Sequence, residues 1–237
     1  MLIEVFVFPP AGGFSLADKK VVAIDVLRAT STIVTALGNK ASEVIPVVEP
    51  VEVADLVRKI GPRECITGGE RKGLKIEGFD LGNSPLEYTS EKVAGKKVVL
   101  CTTNGTKAIK WAQGAGEILI GSFLNLAVVV EYLQACGQDA VLLCSGRDHG
   151  LCLEDLACAG MMVDQLKSGQ TGKLTDSAKL ALYVYEKAAN KLEAFLKETQ
   201  HGRYLQEIGL EKDIYECVSL NKYPLLPKYA NGKISIG

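Results

Sequence analysis

Short runs dense in valine, isoleucine and leucine recur at residues 2–7, 20–25, 44–48, 64–67, 97–102, 117–121 and 139–144. Each is too short for a buried helix, and several are apolar at successive positions, the pattern of strands covered on both faces. Stretches with helical spacing lie between them, near 29–38, 51–60, 105–113, 125–136 and 154–167, with Gly or Pro in the connecting loops. Strand and helix in alternation predict an α/β fold with a mostly parallel sheet and helices on both faces.

With 237 residues, 47 % of them hydrophobic, the chain can fill a sizeable core. No internal repeat or linker divides it, so residues 1–237 read as one domain whose C-terminal part, from about 170, is helical and then forms short strands. Residues 175–200 predict one long helix or two short ones, and the tail from 203 a helical turn before one or two short strands.

Charge excludes some functions. Lys and Arg total 27 against 28 Asp and Glu, a net charge of -1, so nothing global draws the chain to nucleic acid or an anionic membrane. The longest uncharged stretch near the middle, "ILIGSFLNLAVVV", is 13 residues and is interrupted by Gly121, Ser122 and Asn125, too short to span a bilayer. "MLIEVFVF" reads as a first strand rather than a signal peptide. Seven scattered cysteines with no C-x-x-C pair suit buried thiols in a reducing compartment, so a cytoplasmic location is expected. The oligomeric state is open, and a homo-oligomer is compatible with these features.

In a sheet of this kind ligands bind beyond the C-terminal ends of the strands. Four segments at such places carry polar chemistry. In "VVAIDVLRATSTIVTAL" a buried run breaks into Asp25, Arg28 and the hydroxyls Thr30, Ser31 and Thr32 before helical spacing resumes. A helix start there favours an anion, although a hydroxyl cap and an Asp25–Arg28 pair explain the same residues. In "KKVVLCTTNGTKAIKWA" the strand gives way to Thr103, Asn104 and Gly105, a turn able to point N–H groups inward, without the spacing of a Walker loop. "DAVLLCSGRDHGLCLEDLACAG" carries Arg147 in a glycine turn, then Glu154 and Asp155 in a first helical turn. "GGERKGLKIEGFDLGNSP", residues 68–85, is a long glycine-rich loop with Glu70, Arg71, Asn83 and Ser84.

Arginine distribution favours function at these places. The chain has six, and Arg28, Arg71 and Arg147 fall in these segments. Three guanidiniums, donor-rich turns and several carboxylates together predict a phosphate site for a small, highly anionic ligand with a divalent cation, and the carboxylates could hold Mg2+, which pairs with phosphate.

"AIDVLRATSTI", "GGERKGLKIEGFDLGNSP", "TTNGTKAI" and "CSGRD" with "LEDLACAG" together resemble the 2-phosphosulfolactate phosphatase family, over residues 20–160. The resemblance implies a three-layer α/β/α fold. It also implies Mg2+-dependent hydrolysis of 2-phospho-3-sulfolactate to 3-sulfolactate and phosphate, a step of coenzyme M synthesis. On that footing Asp25 and Glu154, with Asp155, would hold the metal and orient water. Arg28, Arg147 and the Thr103–Asn104–Gly105 turn would neutralise the phosphoryl group. Ser31 joins the substrate-binding groups, Arg71, Asn83 and Ser84 are candidates for the sulfonate or carboxylate, and Glu70 would support the site or protonate the leaving oxygen.

Other chemistries fit the spacing poorly. A haloacid-dehalogenase phosphatase needs a second Asp where Leu27 stands, and a cysteine phosphatase needs Arg where Lys107 follows Cys101. The only histidines are His149 and His201; a phosphohistidine mechanism would rest on His149, which reads as a loop side chain. A phosphatase of another phosphorylated hydroxy acid and a non-catalytic sensor of an anionic metabolite stay open.

Overall fold

The computed structural model describes residues 1–12, 15–147, 150–169 and 173–236, with residues 168 and 169 described for backbone only. Its strands are β1 (Leu2–Phe6), β2 (Lys20–Ile24), β3 (Glu43–Val47), β4 (Cys65–Arg71), β5 (Leu74–Lys75), β6 (Lys97–Cys101), β7 (Glu117–Gly121), β8 (Ala140–Cys144), β9 (Lys173–Leu174), β10 (Pro227–Ala230) and β11 (Lys233–Ile236). Helices α1 (Ala29–Gly38), α2 (Pro50–Ile60), α3 (Ser90–Val93), α4 (Gly105–Trp111), α5 (Leu126–Cys136) and α6 (Leu153–Gly169) follow strands or loops of the first two thirds. Helices α7 (Asp176–Ala188), α8 (Leu192–Glu198), α9 (Gln200–Glu207) and α10 (Glu211–Cys217) form a C-terminal block.

Unbroken apolar runs arise because both faces of the central strands are covered. In β2, Val22 and Ile24 join a core with α5, α6 and α7, while Val21 and Ala23 join a second core with α1 and α4. β8 divides the same way, Leu142 and Cys144 to one side and Val141 and Leu143 to the other. The result is the expected three-layer α/β/α arrangement. Where α6 crosses α7 the backbones nearly touch, a Cβ on Gly160 falling 2.0 Å from the Ala181 carbonyl oxygen.

The strands form one mixed sheet in the order β5-β4-β6-β3-β11-β10-β7-β2-β8-β1-β9. Strands β4, β6 and β3 are parallel, as are β7, β2, β8, β1 and β9. Hairpin β10–β11 joins the two groups, antiparallel to β7 on one side and to β3 on the other. The tail therefore holds more than the expected helical turn: two helices from α9 on, then a hairpin in the middle of the sheet. A second difference lies at residues 68–71, expected as loop but forming the end of β4. Gly69 allows this, since its φ is +153° and a Cβ there would meet the Cys101 carbonyl oxygen at 2.1 Å. Among the described residues no helix is long and apolar enough to cross a membrane.

Candidate active site

The loops after β2, β4, β6 and β8 converge. After β2 the three hydroxyls of the first motif are spent on backbone carbonyls, two in the turn itself and one in the loop that carries Asn83. Thr30 Oγ1 donates to the Asp25 carbonyl at 2.9 Å and accepts from the Asp25 N–H at 3.0 Å, Ser31 Oγ donates to the Val26 carbonyl at 2.8 Å, and Thr32 Oγ1 donates to the Asn83 carbonyl at 2.8 Å. These groups lie in the core, where unpaired backbone would be costly. Ser31 is thus a backbone tie and not, as expected, a substrate contact.

Asp25 remains at the site. Its Oδ1 accepts from the Ala29 N–H at 3.3 Å, and its Oδ2 lies where a Cβ on Gly105 would come within 2.6 Å. The same Cβ would stand 2.5 Å from Ala29 Cβ, so only glycine lets α4 start this close to α1. Glu70, buried at the end of β4, accepts from the Gly73 N–H at 2.9 Å and the Thr103 N–H at 2.8 Å. It straps the β4–β5 turn to the turn before α4.

Glu154 and Asp155 open α6 and are both buried. Asp155 accepts from the Val26 N–H at 2.8 Å and from Ser145 Oγ at 3.0 Å, tying the β2 and β8 loops together. A small cavity of about 20 Å³ is lined by Asp25, Asn104, Ser145, Arg147, Glu154 and Asp155 among others. Burial, reinforced by the charges of Glu70 and Glu154, pushes Asp25 up to about 7. Burial also raises Glu154, and burial with the Asp25 and Glu154 charges raises Asp155 well above the carboxylate range. Such a set costs free energy when ionised unless a cation shares it.

A larger cavity of about 370 Å³ opens beside it, lined among others by Arg28, Lys72, Asn83, Thr103, His201 and Tyr204. Three of its polar atoms are buried without a partner, Arg28 Nε, Asn83 Oδ1 and Thr103 Oγ1. Buried polar atoms are nearly always bonded, so three orphans round one cavity mark a place built for a ligand.

The guanidiniums divide. Arg28 lines the cavity, with NH1 on Asp213 Oδ2 at 2.6 Å and NH2 on the Gly73 carbonyl at 2.7 Å. Ser84, expected on the substrate, instead donates to Asp213 Oδ1 at 2.5 Å. Arg147 NH1 donates to His201 Nδ1 at 2.9 Å and its guanidinium lies 5.2 Å from the Tyr204 ring centre. Its backbone pairs with Gly150 in both directions. Arg71 turns away: NH1 donates to the Glu70 carbonyl at 2.9 Å, and NH2 to the Val48 carbonyl at 2.6 Å and to Cys101 Sγ at 3.4 Å. Its fork satisfies carbonyls at strand ends, so the expected convergence of three guanidiniums reduces to two.

The C-terminal block supplies what the motifs lacked. His201 and Tyr204, on one face of α9, wall the cavity and stack with ring centres 6.1 Å apart, and Tyr204 donates to the Lys72 carbonyl at 2.8 Å. Burial and the neighbouring Arg147 hold His201 down to about 4, which makes it a neutral acceptor for that guanidinium. Asp213 comes from α10. The i, i+3 spacing of His201 and Tyr204 was the one available signal. His149 and Asp148 lie outside the described residues. Thiol chemistry has little support: Cys152, which lines the small cavity, and Cys101 both have their thiols pushed up by burial, away from the reactive thiolate.

The chain is similar to known proteins of one family. A family model described as 2-phosphosulpholactate phosphatase matches residues 12–232. Proteins named probable 2-phosphosulfolactate phosphatase are similar along most of their length. One from Thermotoga petrophila is 46 % identical over 211 residues, 89 % of both chains. One from Clostridium tetani is 43 % identical over 219 residues, 92 % of this chain and 93 % of its own. One from Caldanaerobacter subterraneus subsp. tengcongensis is 41 % identical over 217 residues, 92 % of this chain and 90 % of its own.

Proposed function

The chain belongs to the 2-phosphosulpholactate phosphatase family, a family of phosphoric monoester hydrolases, and from that premise we propose that it hydrolyses 2-phospho-3-sulfolactate with Mg2+ in the cytoplasm, a step of coenzyme M synthesis. The observation that carries the cation is the small cavity lined by buried Asp25 and Glu154 together with Arg147 and Asn104. Its volume of about 20 Å³ is that of one water-sized occupant.

The donors fit Mg2+. It takes oxygen ligands, keeps several waters, and is bound through one or two carboxylates plus a substrate phosphate. Among the described residues no three His, Cys, Asp or Glu side chains are placed to hold one ion, so the expected set of Asp25, Glu154 and Asp155 does not close a shell, and water with substrate phosphate would have to supply the rest. Asp25 and Glu154 would hold the ion. Asp155, with both oxygens bonded to Val26 and Ser145, would hold the loops that carry them. When bound, the ion would neutralise phosphate charge and lower the pKa of a ligated water.

The protein's part is orientation and charge. Arg147, fixed by His201 and Tyr204, and Arg28, fixed by Asp213, face the cavity where negative charge shifts during transfer. Thr103 Oγ1, buried and unpartnered, can donate to a phosphoryl oxygen. Glu70 keeps the Thr103 turn in place, and both its oxygens already accept N–H bonds, so positioning is the role its contacts support.

The test is phosphate release from 2-phosphosulfolactate, with Mg2+ and after chelation. Wild-type protein should lose turnover with EDTA and regain it with Mg2+, and Asp25→Asn should lower kcat by about 100-fold or more while remaining folded. Full activity in folded Asp25→Asn, or in EDTA, overturns the reading.

A further inference from the structure

Beside the two cavities described lies a third, about 280 Å³, between the chain after β1, the side of α4 and the β8–α6 turn. Phe8, Pro9 and Trp111 supply its apolar lining, and Lys107 and Arg147 its cationic groups. The wall is held in place: Trp111 Nε1 donates to the Pro10 carbonyl at 3.1 Å and its ring packs edge-on against Phe6 at 5.9 Å. Gly146 lets the opposite turn close in, since a Cβ there would meet Phe8 Cβ at 2.5 Å.

The three cavities share Asn104 and Arg147, so they open from one point as three arms. The proposed substrate is branched in the same way. Its second carbon bears the phosphate, a carboxylate and a sulfomethyl group. With the phosphorus at the shared point, beside the small carboxylate-lined cavity, the two remaining anionic groups are left for the two larger spaces.

Charge and solvation distinguish those spaces. Asp25 and Glu70 line the larger chamber together with Arg28 and Lys72, whereas among the described residues no carboxylate lines the cleft and Lys107 makes no ion pair. Thr103, whose buried hydroxyl lacks a partner, lines both. A sulfonate on a methylene is a weakly hydrated anion, suited to an apolar wall beside one ammonium.

We propose that this cleft is the sulfonate pocket of the substrate and that Lys107 is the residue that selects for the sulfonate. The inference rests on the phosphatase reading for the identity of the substrate, so its test is kept apart from turnover. Binding of the product 3-sulfolactate and of lactate, which lacks only the sulfonate, is compared by calorimetry in wild type, Lys107→Met and Lys107→Arg. Wild type should prefer 3-sulfolactate, Lys107→Met should cut that preference by about tenfold or more, and Lys107→Arg should keep most of it. No preference in wild type, or one that Lys107→Met leaves intact, overturns the pocket. A preference lost in Lys107→Met, in a protein that frees no phosphate from any ester, would uphold the pocket and overturn the hydrolase reading. Hydrolysis of 2-phosphosulfolactate with a preference that ignores Lys107 would do the reverse.

Discussion

Arg28 shows how much of this site's chemistry is settled at single residues. Its side chain is 2 % exposed and its charge is balanced by Asp213, equally buried, which Ser84 also engages. Removing one member of such a pair strands the other, at a cost of about 3–5 kcal/mol, whereas replacing both with apolar groups is often near neutral. Asp213→Leu should therefore lower stability in urea by about 3 kcal/mol or more. The double variant Arg28→Met with Asp213→Leu should recover much of that loss while remaining poor in turnover. A double variant no more stable than Asp213→Leu would mean that Asp213 acts through packing. Arg71 teaches the opposite lesson. Its fork is used up on the Glu70 and Val48 carbonyls, so an arginine in a glycine-rich segment was a weaker sign of ligand contact than its residue type suggested.

At the scale of elements, the site depends on how closely α1 and α4 begin. Their starts meet at Ala29, Asp25 and Gly105, with no room for one methyl group. Gly105→Ala must push α4 outward or turn Asp25, and overpacking of this kind costs about 1–3 kcal/mol. Because Thr103 and Asn104 immediately precede α4, kcat should fall with stability. A stable, fully active Gly105→Ala protein would show that the interface yields without moving the site. The first motif follows the same logic: the Thr30 and Ser31 hydroxyls tie off the turn's backbone, while Asp25 and Arg28 line the larger cavity.

For the whole molecule the telling feature is the terminal hairpin. Chain ends commonly fray, but Ile234 and Tyr229 are in the core, and β10 and β11 occupy the centre of the sheet. Ile234→Ala should cost about 2–4 kcal/mol, the penalty of a central strand rather than of a tail. Thermal and urea unfolding should remain a single transition. A loss below about 0.5 kcal/mol, the range of a surface substitution, would show the hairpin to be dispensable. Without it, β3 and β7 would each present an open edge.

The α/β class, strands β1–β4 and β6–β8, helices α1, α2, α4, α5 and α6 and the junctions holding Asp25, Thr103–Gly105, Arg147 and Glu154 were legible in the sequence. Each depends on contiguous residues, on apolar runs, helical spacing and turn chemistry within about ten positions. What tertiary structure alone decided was partnership at a distance. Arg28 and Asp213 are 185 positions apart, Arg147 and His201 are 54 apart, and Ser84 finds Asp213 across 129. Val44 acquires Ile234 as its neighbour in the sheet. No local pattern encodes such pairings, because they are chosen by which surfaces pack once the sheet has formed. Packing thus turned Arg71 away from the cavities and brought α9 and α10 in to wall them.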